Sequence, residues 1–416
     1  MRIAIATAVY YPMINGVAVF SHNLAVGLAK RGHEVLVVCP SQTGKNYTRT
    51  IDGVKTIYLK SVQAKVYPDQ IHPVPKKKKV FGVEVPHFWY KHSFRVSVFP
   101  SAEIKKAFDE FQPEVVHVQV SDPIGLSVAS YARKNHIPVV TTEHNQPEVL
   151  TDPLKVPRLI KKPVNVLLSS YFRNRQAKSD FVTMPTMQAI ENLILSSNKD
   201  FPVPVAAVSN GVDLSDFKPG KASSEIYKKY KILKDKKIVL YVGRVDPEKK
   251  VGLVIEAFNK ACAKVHNIQM VIVGDGVDKL RLEKMVFGMG LNDRIQFLGR
   301  VLPPDLHELY RVGDVFATAS EIETQGIVLI EAAASGLPLI AVNAGAVSEV
   351  CINNKNGFLC QPGDVYGISE AMIKILGNDA MRKKFGEESV KIATEHDFEK
   401  TLDKFINIYK KVITMK

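Results

Sequence analysis

Apolar positions along this chain fall in short continuous runs, alternating with longer stretches in which apolar residues recur at helical spacing. Residues 2–8 form the first run and read as a strand. Residues 17–31 place Val19, Leu24 and Leu28 at helical intervals, and Arg31-Gly-His-Glu34 closes that helix before a second apolar run at 35–39. Residues 113–118 predict a strand, 124–135 a helix and 137–142 a further strand. Strands that are apolar throughout, rather than alternating, belong in a parallel sheet covered by helices on both faces.

The order restarts near residue 202, where the turn-rich residues 209–213 and 217–219 mark a boundary. Strands are then predicted at 237–243, 268–274, 294–299, 314–318 and 339–342, with a helix at 251–264. That is a second doubly wound sheet. The expected division is a first domain of residues 1–205 and a second of residues 206–396. Open parallel sheets bind ligands beyond their strand C-termini, so a crevice between two of them is the expected binding place.

Composition narrows this picture without redrawing it. A chain of 416 residues is long enough for two cores, and 46% hydrophobic with 24% charged residues is an ordinary globular balance. No apolar run approaches the ~20 residues of a membrane span. The N-terminus reads as a strand rather than a signal peptide. Cys39, Cys262, Cys351 and Cys360 lack metal-ligand spacing, so reduced thiols and a cytoplasmic setting are expected. The net charge of +14 fits nucleic acid, an anionic membrane surface or merely a Lys-rich genome. No nucleic-acid motif accompanies it, so nucleic acid is not an expected partner. The basic residues 75–80 read as a surface loop. No Gly-x-Gly-x-x-Gly follows the first strand, which argues against a dinucleotide oxidoreductase. Asp-x-Asp is absent, and no metal or other cofactor is expected.

The candidate chemistry is concentrated in the second half. Residues 320–331 read Ser-Glu-Ile-Glu-Thr-Gln-Gly-Ile-Val-Leu-Ile-Glu, followed by Ala-Ala-Ala-Ser-Gly-Leu-Pro to residue 338. Glu323 precedes a short apolar helix and Glu331 lies in it, eight residues on. Two carboxylates suit sugar hydroxyls, and the amides of a helix start after Gly326 suit phosphate. Upstream, Gly243, Arg244 and Lys249 sit where a strand hands over to a helix. A departing nucleoside diphosphate leaves negative charge, which fixed cations there would take.

These two strings resemble the nucleotide-sugar motif and the Gly-Arg…Glu-Lys loop of retaining GT-B glycosyltransferases of the glycogen-synthase-like class. The Thr-Gln variant is most similar to members that glucosylate diacylglycerol. The resemblance implies a GT-B α/β fold, two facing Rossmann-like domains with a cleft, and a last helix (397–416) returning to the first domain. It implies that Arg244 and Lys249 steady the phosphates. Glu323 and the groups of Gln325, Gly326 and Ile327 would hold the donor sugar, and Glu331 the ribose. Residues 344–349 resemble the turn that closes the donor pocket, and Asp364 reads as a helix cap.

In the first half, Gly16 follows the first strand and reads either as a phosphate-approaching glycine or as a plain tight turn. Asn15 stands where the family carries another glycine. His117 reads as structural. Gln119 occupies a position where relatives often have a donor-contacting His, and an amide cannot titrate. His144, at a strand end, is open between ligand and structural residue.

The resemblance is weakest at residues 45–98 and 148–179. Residues 153–178 are Pro-broken and basic with an apolar middle, which fits either a helix lying on anionic lipid or one packing Leu167, Leu168 and Phe172 inward. The partners expected are a nucleotide sugar, a lipid or sugar acceptor and, if that segment binds lipid, the inner face of the cell membrane. The expected reaction is metal-independent transfer of glucose from UDP-glucose to a lipid hydroxyl. A GDP-mannose donor, a soluble or polysaccharide acceptor, a nucleotide-sugar epimerase and a non-catalytic binder are the alternatives.

Overall fold

The computed structural model describes residues 1–11, 13, 15–63, 78–80, 83–85, 95–97, 100–119, 122–144, 158–197 and 200–416. The chain forms two units, Met1–Val208 with Leu402–Lys416, and Ser209–Thr401. It therefore crosses between them twice, at 208/209 and at 401/402.

The main sheet of the first unit runs, in spatial order, Val205–Ala207, Phe181–Met184, Val139–Thr142, Val115–Val118, Arg2–Ala6, Glu34–Pro40, Val54–Leu59 and Tyr47–Ile51. All neighbours are parallel except the last pair, a hairpin. Ile3–Ala6, Val115–Val118 and Val139–Thr142 are buried along their whole length, as expected for strands covered on both faces. Arg2–Ala6 is the turning point of the order, since the chain winds to Glu34–Pro40 on one side and to Val115–Val118 on the other. Loops at such a reversal diverge and leave room for a ligand.

The helix Phe398–Thr414 completes this unit's core. Phe405 is fully buried, with ring centroids 6.0 Å from Phe20 and 5.1 Å from His117. The basic segment at 75–80 differs from its reading as a loop. Lys78–Val80 is a strand, paired antiparallel with Val83–Val85, while residues 75–77 lie outside the described residues.

The second unit carries a parallel sheet in the order Ile295–Gly299, Ile268–Val273, Lys237–Val242, Val315–Ala317, Leu339–Val342 and Gly357–Cys360. Its order reverses between Lys237–Val242 and Val315–Ala317. The predicted strands are all present, and the helix predicted at 251–264 closes slightly earlier, as Val251–Cys262. Asp364 caps the helix Val365–Gly377 as expected, its Oδ1 accepting from the Gly367 amide at 2.8 Å.

Candidate active site

The two strands that flank the reversal in the second unit deliver the residues the sequence singles out. Beyond Lys237–Val242 the chain passes through Gly243 and Arg244 into a short 3-10 turn, Pro247–Lys249. Beyond Val315–Ala317 it forms the loop 318–325, then the helix Ile327–Ala334.

Backbones pack too closely here for side chains. A Cβ on Gly274 would lie 1.8 Å from the Gly243 carbonyl oxygen, and one on Gly345 would lie 2.6 Å from that of Glu323. The Ala346 amide donates to the same Glu323 carbonyl at 3.1 Å. Residues 344–349, expected to close the donor pocket, therefore brace the Glu323 loop directly.

Lys249 Nζ meets Glu323 Oε1 at 2.7 Å and lies 3.4 Å from Ser320 Oγ and from the Ile322 carbonyl. Both side chains of this pair are only 16% exposed, so their attraction is weakly screened. Lys250, held at φ 49°, pairs with Glu321. Two adjacent lysines thus clasp two acids of the facing loop. Arg244 is 51% exposed and pairs with Asp246 and with Glu248, the latter at 2.7 Å. Asp246 is buried and also accepts from the Val277 amide at 3.0 Å, which fixes the arginine's anchor.

Gly326 occupies the cap of Ile327–Ala334 at φ 76°, a conformation that favours glycine, and supplies no side-chain cap. Glu331, one helix turn on, accepts from the Tyr310 hydroxyl at 2.5 Å. Burial pushes its carboxyl up to about 7, and the Tyr310 hydrogen bond partly opposes that rise. Glu323 and Glu331 therefore have different partners, an ammonium for the first and a phenol for the second. The Gln325 side chain points elsewhere, its Nε2 donating to Ser209 Oγ at 2.6 Å and its Oε1 accepting from the Asn210 amide at 3.1 Å.

In the first unit, Asn15 is the cap of the helix Gly16–Lys30, its Oδ1 accepting from the Ala18 amide at 2.9 Å. Gly16 is the first residue of that helix rather than part of the turn before it. Pro12 and Ile14 lie outside the described residues. Gln119 and His144 end neighbouring strands and are joined, His144 Nε2 donating to Gln119 Oε1 at 2.8 Å. The Gln119 amide in turn lies 3.3 Å from the His117 ring. His117 is buried between Tyr409 Oη at 2.6 Å and Thr142 Oγ1 at 2.7 Å, the structural place expected of it. Burial pushes both imidazoles down to about 3, with the neighbouring His144 adding to the effect at His117.

The basic segment is a helix over Arg158–Gln176 with Pro163 inside it, while residues 153–157 lie outside the described residues. Its burial departs from the packed alternative at Leu167, while the Phe172 side chain lies outside the described residues. Leu167 is 71% exposed and Val166 and Tyr171 are exposed, whereas Ser169 and Gln176 are buried. Leu168 is half-buried. Among the described residues no helix is long and apolar enough to cross a membrane, and no group of three or more His, Cys, Asp and Glu is placed to hold a metal ion.

Sequence reading missed Asp246, Glu321, Tyr310 and Ser209. The signal for Glu321 was present as two acids at 321 and 323 matching two lysines at 249 and 250. Tyr310 and Ser209 meet their partners only through the fold.

Comparison with known proteins bears on the fold and the family. The fold is GT-B: the whole chain aligns with sucrose-phosphate synthase from Thermosynechococcus elongatus at a TM-score of 0.75 and 19% identity, covering 100% of each chain. It aligns with the Anabaena protein HepE in complex with UDP-glucose at 0.70 and 16%, covering 99% and 100%. Two family models divide the sequence, Glycosyltransferase Family 4 over residues 14–216 and Glycosyl transferases group 1 over residues 223–391. The chain belongs to the glycosyltransferase group 1 family and is a hexosyltransferase. Its relatives include alpha-monoglucosyldiacylglycerol synthase of Acholeplasma laidlawii, 27% identical over 86% of this chain and 84% of that one. Also similar are N-acetyl-alpha-D-glucosaminyl L-malate synthase of Bacillus anthracis (26%; 97% and 96%) and a GDP-mannose-dependent alpha-mannosyltransferase of Mycobacterium tuberculosis (27%; 88% and 85%).

Proposed function

We propose that the protein transfers glucose from UDP-glucose to a lipid hydroxyl such as that of diacylglycerol, with retention of configuration and without a metal ion. The observation that carries the reading is the cluster of Arg244, Lys249 and Glu323 at the strand reversal, beside the glycine-capped helix that bears Glu331. As the bond from the sugar to the diphosphate breaks, its electron pair passes to a phosphate oxygen, and Arg244 and Lys249 offset that charge. At ~4 Å and an effective dielectric near 20, each such pair contributes about 4 kcal/mol before desolvation. The carboxylates now holding these cations give way to the more highly charged diphosphate. Glu323 then accepts from hexose hydroxyls and Glu331 from those of the ribose. The acceptor oxygen bonds to the anomeric carbon on the face the diphosphate leaves and loses its proton towards it. Within the first unit, His144 offers a ligand its Nδ1, since its Nε2 proton is held by Gln119.

Two further observations support the lipid acceptor. The outward apolar face of Arg158–Gln176, with Lys162 and Lys178 exposed near its ends, suits an anionic bilayer surface. The names of two relatives are diacylglycerol glucosyl transfers. A mannosyltransferase relative of equal identity favours GDP-mannose as the second reading. The test is product analysis with UDP-glucose and GDP-mannose, each with and without diacylglycerol in anionic vesicles. A glycolipid formed from UDP-glucose alone is expected. Mannolipid would replace the donor, and donor turnover with no glycolipid would remove the lipid acceptor.

A further inference from the structure

Ser209 is the first residue of the second unit and Thr401 the last, so the two places where the chain crosses meet at one point. The Ser209 carbonyl accepts from Thr401 Oγ1 at 2.9 Å. Ser209 Oγ accepts from the Gly211 amide at 3.1 Å and from Gln325 Nε2 at 2.6 Å. With two donors already on it, that hydroxyl directs its own proton to His396 Nδ1, 3.0 Å away. Gln325 Oε1 adds a hold on the Asn210 amide. Gly211, at φ 73°, lies so close to the start of the last helix that a Cβ would sit 2.7 Å from Phe398 Cα and Thr401 Oγ1.

Gln325 is 3% exposed and lies two residues after Glu323. Its carboxamide donates one hydrogen bond and accepts another at this cluster. A residue of the loop that carries Glu323 is thus hydrogen-bonded to the strand-to-unit crossing and, through one serine, to the returning helix. We propose that Gln325 is a positioning residue that couples the Glu323 loop to the two chain crossings. The assignment rests on the proposed role of Glu323 in donor binding. Gln325 acts through Glu323 and touches no reacting atom. When the crossing segments shift, the amide transmits the shift to the loop, and the reverse holds.

The test pairs Gln325→Leu, which removes both hydrogen bonds, with Ser209→Ala, which removes the one to Ser209 Oγ and leaves the Asn210 amide in place, and with the double variant. Misplacing a binding group by about an ångström costs up to ~100-fold in turnover. Each single variant is expected to lose ~10- to 100-fold in kcat, with KM for the donor within about threefold and a thermal midpoint lowered by a few degrees for the buried groups left unpaired. The double variant should be no worse than the poorer single one, and Ser209→Thr should restore activity. Losses that multiply, or wild-type kinetics in Gln325→Leu, overturn the coupling. Hydrogen exchange gives an answer that needs no turnover. Ser209→Ala should speed exchange of the 320–326 amides, and Gln325→Leu that of Asn210 and Gly211. Changes confined to the substituted segment overturn the proposal. A wild-type protein that turns over no nucleotide sugar would instead sink the function reading, leaving the exchange result to stand alone.

Discussion

Lys249 Nζ pairs with Glu323, and in the proposed reaction the same ammonium is the one a phosphate would claim. Arg244→Ala and Lys249→Ala are each expected to lower kcat by about two to three orders of magnitude, as loss of one preorganised charge donor does. Lys249→Ala also strands a shielded carboxylate, so it should cost stability, whereas the half-exposed Arg244 should not. Turnover near wild type in either variant, measured beside its thermal midpoint, would remove that residue from the mechanism. The histidines make a separate prediction about acid. His117 and His144 stay neutral in the folded state down to about pH 3, while an unfolded histidine binds a proton below about 6.5. Stability therefore falls as pH drops through that window, by ~1.4 kcal/mol per pH unit for each histidine. Urea titrations between pH 6 and 4 should give His144→Gln a slope shallower than wild type by about that amount. Parallel slopes would mean that His144 titrates normally.

The strands were legible at the level of the element because they are apolar from end to end, and only a parallel sheet with two covered faces calls for that. Helix limits were legible to within about two residues, since capping is local and Asn15 and Asp364 sit where a cap must. The reach of Gln325 was not legible. It lies beside the Glu323 pair in sequence, yet its partners are more than a hundred residues away, and nothing local says which way a side chain before a positive-φ glycine turns. Arg158–Gln176 shows the same limit, because its composition fits either orientation and only the fold puts Ser169 and Gln176 inside. On a surface helix that arrangement predicts a lipid-facing role for Leu167 and Tyr171. Leu167→Ser should reduce co-sedimentation with anionic vesicles severalfold and leave the thermal midpoint unchanged. Loss of stability without loss of binding would show that the face packs against protein.

At the scale of the whole molecule, the helix Phe398–Thr414 ties the last residues to the first unit's core. Phe405→Ala removes a fully buried ring and should cost about 3–5 kcal/mol. The loss should fall on the unfolding of Met1–Val208, and calorimetry should resolve it from an unshifted transition of Ser209–Thr401. Equal shifts in both would mean that the molecule unfolds as one.

The same helix sets an order of events during synthesis. A ribosome releases residues 1–208 long before Phe405 and Tyr409 exist, so the nascent first unit emerges with His117 lacking the hydroxyl it holds in the finished chain. Folding strictly from the N-terminus would therefore leave the first unit one helix short until residues 402–414 are made. The second unit's strands all precede residue 361, so its sheet can be completed before the helix that closes the first unit's core is made.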